Sequence, residues 1–225
     1  MTTAAALPIR EDFKEILRLI RPKARVLDVG CGTGELLELL EGQKQVDGRG
    51  VEAAGEKVSA CLAKGLAVVQ GDADRDLDYF PARAFDYAIL SQTLQQVQRP
   101  KHVLSELMRI SERAIVSVPN FAHWRVRLEM LTKGRMPVTG ALPDPWWGTA
   151  NIHLCTLRDF VELVDDLGLR IDACAALTTG KAARPIDPTR MVENWRSEAA
   201  LFLLSRKNPD PGPAPSVTGD LLENI

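Results

Sequence analysis

Three glycines at alternate positions, Gly30, Gly32 and Gly34, stand directly after the apolar run Val26-Leu27-Asp28-Val29 and just before Leu36 and Leu37. Glycine carries no Cβ penalty at positive φ and lets a backbone approach a ligand closely, so this spacing after a strand marks a turn beneath a bound small molecule. A dinucleotide fingerprint needs its third glycine one place later, where this chain has Glu35. A phosphate loop needs a Gly-Lys pair after four residues, and no lysine stands between Arg25 and Lys44. Asp28 adds the sign of the ligand: a carboxylate at the mouth of the loop repels pyrophosphate and suits a molecule that offers an ammonium group and no phosphate.

S-adenosylmethionine is such a molecule. In a parallel α/β sheet the next acid belongs at the end of the second strand, about 20 residues on, where it can accept both ribose hydroxyls. Glu52 occupies that place. A third strand, 66–70, runs into Gly71-Asp72-Ala73 and puts a carboxylate where the adenine amino group would sit. A fourth, 85–90, runs into Ser91 and Gln92, which are placed to touch the methionine portion or its acceptor, because ligands of open α/β sheets lie beyond the carboxyl ends of the strands. With Cys31 inside the glycine loop, the expected cofactor set is Asp28, Gly30, Cys31, Gly32, Gly34, Glu52, Asp72, Ala73, Ser91 and Gln92. The pattern resembles that of the class I S-adenosylmethionine-dependent methyltransferases, which implies S-adenosylmethionine or S-adenosylhomocysteine as the ligand.

Methyl transfer is an inverting displacement that needs chiefly alignment, with a base only where the nucleophile must lose a proton. His123, just past the fifth strand, and His153 are the candidate bases. Many methyltransferases of this type carry a histidine where Gln96 stands. The three histidines have no acidic or cysteine companion at ligand spacing, so no metal site is expected.

These residues need a scaffold, and 225 residues with 45% hydrophobic and 26% charged content are enough for one core. A helix with Phe13, Ile16, Leu17 and Ile20 at helical spacing leads in and stops at Pro22. Helices follow over 35–40, 56–63 (closed by Gly65), from Pro100 onward, over 124–133 (closed by Gly134), and from Thr156, which opens a capping box with Asp159, to Leu167. Strands over 46–51, 114–118, 169–177 and 199–204 complete the succession, and 178–198 reads as a loop. The expected fold is α/β: a class I methyltransferase-like, Rossmann-like sheet of seven strands, mostly parallel with a C-terminal antiparallel pair, and helices on both faces. Residues 1–206 form one domain in this reading, and the proline-rich segment 207–225 is disordered.

With 28 Lys+Arg against 30 Asp+Glu, a net charge of −2 and no basic block, the footprint of a nucleic-acid binder is missing. Four scattered cysteines, no leader-like start and no long apolar run point to a reduced, cytoplasmic protein without membrane anchoring.

Longer blocks narrow the resemblance: Val118-Pro119-Asn120-Phe121-Ala122-His123-Trp124, Gly134-Arg135-Met136-Pro137-Val138, Asn151-Ile152-His153-Leu154-Cys155-Thr156 and Leu90-Ser91-Gln92-Thr93-Leu94-Gln95. They are similar to the MetW family of methionine-biosynthesis proteins over roughly residues 20–206. The resemblance implies a protein of methyltransferase architecture that works with, and supports, a homoserine O-acyltransferase of the MetX type. The alternative is a methyltransferase acting on a small molecule. The chain departs from the family at Gly148-Thr149-Ala150-Asn151, where Asp-Thr-Pro-Asn is usual. The aperiodic stretch 135–151 is too long for an idle connection, and its Trp146 and Trp147 either face a partner or cap the core.

Overall fold

The computed structural model describes residues 10–139 and 144–207; the segment expected to be disordered lies, apart from Lys207, outside the described residues. Among these residues eight strands form one sheet: β1 (Arg25–Val29), β2 (Asp47–Glu52), β3 (Val68–Gln70), β4 (Phe85–Ser91), β5 (Ser111–Pro119), β6 (Leu169–Thr178), β7 (Lys181–Pro185) and β8 (Ala199–Arg206). Their order is β3-β2-β1-β4-β5-β8-β6-β7. The first five pair in parallel, and β8, β6 and β7 are antiparallel to their neighbours. The carboxyl ends of β1 to β5 therefore share one edge of the sheet with the start of β8, the end of β6 and the start of β7.

Among the described residues seven α-helices accompany the strands: α1 (Glu11–Leu19), α2 (Glu35–Lys44), α3 (Gly55–Ala63), α4 (Pro100–Ile110), α5 (Trp124–Lys133), α6 (Leu157–Asp166) and α7 (Met191–Arg196). Period-two alternation in the central strands sends side chains to both faces. Leu27, Ala88, Leu90, Val116 and Phe202 join the layer covered by α4 and α6, where Phe160 and Phe202 lie 4.5 Å apart. Val26, Tyr87, Ile89, Ile115 and Leu201 join the opposite layer, covered by α1 and α2. α1 also packs against β7, with Ala183 set against the cluster that holds Phe13 and Ile16.

The eighth strand corrects the expected seven. β7 lies in the stretch read as a loop; it is short, polar and largely exposed, as an edge strand can be, and pairs with β6 across the Gly180 turn. Helix α2 runs past Gly42 to a left-handed Gln45, because one interior glycine costs only about 1 kcal/mol against alanine. The capping box at Thr156 forms with both of its hydrogen bonds, aspartate replacing the commoner glutamate.

Candidate cofactor site

β1 ends in Asp28-Val29 and the chain turns through Gly30, Gly32 and Gly34, all at positive φ (75°, 59° and 79°), into α2. A Cβ on Gly34 would lie 2.4 Å from Leu66 Cδ1, so this glycine serves packing beneath the loop. Gly32 has open space where a Cβ would go, as a residue facing a ligand should.

Two adjoining cavities lie over the loop, of about 260 and 380 Å³. Arg10, Gly30, Gly32, Lys57 and Ser91 line both. Asp28 and Cys31 face the first; Glu52, Asp72, Ala73 and Gln92 face the second. Of the ten expected cofactor residues only Gly34 lines neither. Parallel strands β1 to β4 end side by side, and that is what brings together residues more than sixty positions apart.

Asp28 is 3% exposed and accepts no hydrogen bond among the described residues. Burial pushes its carboxyl up to about 7, helped by the charges of Glu52 and Asp12 and opposed by Arg10. An acid held so close to neutrality, with no donor of its own, fits a ligand that brings one. Glu52 plays a different part. Its Oε2 accepts the Gly32 N–H at 2.8 Å and its Oε1 the Ala54 N–H at 3.0 Å, so it pins the glycine loop while still facing the second cavity. Each oxygen retains a lone pair for a ribose hydroxyl. Asp72 is half exposed and accepts the Asp74 N–H at 2.9 Å; Asp74 itself is buried and accepts the N–H groups of Gln98 and Arg99. Gln92 sits in the left-handed region at φ 53°, anchored by its N–H on Ser117 Oγ at 2.9 Å. Burial raises the Cys31 thiol far above its usual range and holds it protonated.

Arg10, Asp12 and Lys57 went unread in the sequence. Arg10 grips Asp12 through Nε and Nη2 at 3.1 and 2.5 Å, and Asp12, 4% exposed, accepts the Ser91 hydroxyl at 2.9 Å. This brings the start of α1 over the end of β4. The pairing joins residues 79 apart, and the only local trace is an acid on the apolar side of an amphipathic helix.

Neither candidate base lines either cavity. His123 precedes α5 and is buried against Trp124. His153 is exposed, with its N–H on Gln95 O and its ring 3.4 Å from Gln98 O. Trp146 and Trp147 are 69% and 75% exposed and meet edge to face at 5.8 Å, so they do not cap the core. Among the described residues no helix is long and apolar enough to cross a membrane, and no three acids, histidines or cysteines gather as metal ligands.

The strand order, the glycine turn and the acids at successive strand ends define the fold of the class I S-adenosylmethionine-dependent methyltransferases. Solved structures agree. A Thermotoga maritima S-adenosylmethionine-dependent methyltransferase, described as a possible histamine N-methyltransferase, superposes with a TM-score of 0.64 at 16% identity, covering 88% of each chain. A chain from the Haloferax volcanii complex between the Trm112 methyltransferase activator and the putative methyltransferase gives 0.61 at 18% identity, covering 85% of this chain and 87% of that one. At that identity the likeness concerns the fold. The family model for the methionine biosynthesis protein MetW matches residues 10–204, and the chain belongs to that family. The bifunctional methionine biosynthesis protein MetXA/MetW of Rhodopirellula baltica is 34% identical over 211 residues, which are 90% of this chain and 34% of that protein; the chain thus spans about a third of its relative's length.

Proposed function

We propose that the chain binds S-adenosylmethionine or S-adenosylhomocysteine in the paired cavities and acts in methionine biosynthesis as the partner and activator of a homoserine O-acyltransferase of the MetX type. The observation that carries the cofactor reading is Asp28, a buried carboxylate facing the glycine loop without a donor of its own. The cofactor ammonium supplies that donor, Glu52 takes the ribose hydroxyls, and Asp72 takes the adenine amino group. Ser91 and Gln92 border the methionine end. Arg10, shared by both cavities, offers the cofactor carboxylate a cation.

The partner reading draws support from exposed apolar side chains on α5 and in the segment after it. Leu128 and Leu131 on α5 are 48% and 84% exposed, and Trp146, Trp147 and Ile152 follow in the long loop. Val126 is the one buried residue of α5, and Leu128, Met130 and Leu131 are exposed on it. The R. baltica relative carries MetXA and MetW in one bifunctional protein, which gives such a surface a natural occupant. A bound cofactor can regulate that partner only by favouring one of two states of the pair.

Titration calorimetry tests the cofactor claim: S-adenosylhomocysteine should bind, and Glu52→Ala should weaken it by about 1–3 kcal/mol through lost charge-assisted bonds. Absence of heat with both ligands refutes it. Acyltransferase assays with and without the chain test the partnership; Leu131→Asp and Trp147→Ala should abolish activation while the fold persists, and full activation by both variants refutes the assigned surface. A second reading, methyl transfer to a small acceptor, draws on the open cavity beside Phe13 and Lys57. Since neither histidine faces that cavity, alignment alone would drive such a reaction.

A further inference from the structure

The same edge of the sheet carries another cavity, of about 580 Å³, over the ends of β5 and β6 and the starts of β7 and β8, and it shares no lining residue with the two cofactor cavities. Its walls are of another kind. Trp124 and Trp195 stand 6.1 Å apart at a 35° tilt, Trp195 being half exposed, and present indole surface to the opening.

Four cations line it against one carboxylate, Glu198. Arg184 is held by Glu193 at 2.6 Å, and Arg125 lies 3.8 Å from Glu198 and over the Trp124 ring. Lys181 and Arg196 make no ion pair among the described residues. Glu198 is further occupied by the N–H and hydroxyl of Thr179 at 3.1 and 3.2 Å. The cavity thus has an excess of positive charge on exposed walls, and cations that converge on one cleft attract an anion to it.

His123 adds an independent sign. It is 4% exposed and lines this cavity, and its ring makes no hydrogen bond among the described residues. Burial lowers its pKa and keeps the imidazole neutral, able to donate at one nitrogen and accept at the other. The ring is largely covered, yet its nitrogens stay accessible at the cavity, where a ligand can meet them.

We propose that this cleft is a second ligand site, taking a small anion with a flat apolar body: the anionic head against Lys181 and Arg196, the body on the indoles of Trp124 and Trp195, and a polar substituent at His123. The volume suits a metabolite-sized molecule, and aromatic walls with a few convergent polar groups are the usual construction of such sites. A carboxylate and a phosphate both meet the charge requirement, so the two are separated by experiment. The inference does not depend on the identity of the ligand in the cofactor cavities.

The test titrates the full chain with benzoate and with phenyl phosphate, read by tryptophan fluorescence, with benzyl alcohol and inorganic phosphate as the neutral and ring-free controls. At least one aromatic anion should saturate the signal and bind at least tenfold more tightly than either control; the tighter of the two names the head group. Trp195→Ala and Arg196→Gln should each weaken that binding about tenfold or more, while Trp147→Ala leaves it unchanged and S-adenosylhomocysteine affinity stays at wild type. Should Trp195→Ala lower the melting temperature, Lys181→Gln on the exposed edge strand takes its place and should show the same loss. No saturable binding of either anion, equal binding of benzyl alcohol, or undiminished affinity in the variants overturns the site.

Discussion

The two halves of one sheet edge carry opposite charge. Over β1 to β4 the cavities are lined by Asp28, Glu52, Asp72 and Asp74, with Arg10 and Lys57 at the rim. Over β5 to β8 the lining is Arg125, Lys181, Arg184 and Arg196 around Trp124 and Trp195. Strand direction explains part of the contrast. The parallel half repeats one unit, so β1, β2 and β3 deliver Asp28, Glu52 and Asp72 at or just past their carboxyl ends, while β4 delivers Ser91 and Gln92. The antiparallel half mixes strand starts with strand ends, and its side chains arrive from the β5–α5 turn, the β6–β7 hairpin and α7. One half holds an acid without a donor among the described residues, and the other holds cations in excess of its one carboxylate.

The largest expected effect tests the acidic half. Asp28→Asn should raise the stability of the ligand-free protein at pH 8 and weaken S-adenosylmethionine binding by a factor of about 100. A carboxyl that rises from near 3.9 unfolded to about 7 folded binds more protons in the native state, so its charge destabilises the fold above pH 7 and costs nothing below pH 4. The full span corresponds to about 4 kcal/mol. The stability gap between variant and wild type should therefore open as pH rises from 4 to 7, measured by denaturant unfolding. A gap that is flat with pH would break the account of Asp28.

The next effect falls on the basic half. Asn120, 1% exposed, donates to Asn194 O and Ser197 O at 2.7 and 2.8 Å and accepts the Ala122 N–H at 3.0 Å. It ties the turn bearing His123 and Trp124 to α7 bearing Trp195. Asn120→Ala leaves several buried groups without partners and should cost about 3 kcal/mol. Calorimetric melting gives the loss, and unchanged S-adenosylhomocysteine affinity would show the halves to be mechanically separate.

Two glycines sharpen the description of the acidic half. Gly34→Ala combines left-handed strain with a collision at Leu66 and should cost about 3 kcal/mol. Gly32→Ala meets nothing and should cost about 1 kcal/mol in stability, yet it should weaken cofactor binding because its methyl enters the space over the loop. Unfolding and binding measured on both variants distinguish packing from ligand clearance.

The smallest effect is a pH profile. If Asp28 must be ionised to accept an ammonium, S-adenosylmethionine should bind about tenfold more weakly at pH 6 than at pH 8, and Asp28→Asn should flatten that dependence. Calorimetry at the two pH values decides it.

The same contrast governs what could be read from the chain. Asp28, the glycines and Glu52 lie within 25 residues in a repeating strand-turn-helix pattern, so spacing alone places them at adjacent strand ends. Helix α5 is closed by Gly134, and the capping box marks α6. β7 escaped because Lys-Ala-Ala-Arg-Pro has no apolar alternation; an edge strand facing solvent needs none. Arg10 and Asp12 escaped because their place over Ser91 is set by the packing of α1 on the finished sheet. His123 was legible as a residue at a strand end, but only the antiparallel half shows which cavity it faces.

The packing of α1 on β7 also bears on synthesis and folding. The helix whose first turn borders the cofactor cavity is made long before the hairpin strand it rests on. A contact between such distant segments carries a large loop-closure entropy and forms late. On the ribosome, the glycine turn and Glu52 emerge long before Arg10 and Asp12 have a surface to hold them. Assembly of the cofactor pocket is therefore tied to completion of the C-terminal hairpin, and a chain released before β7 would lack the support for its own first helix.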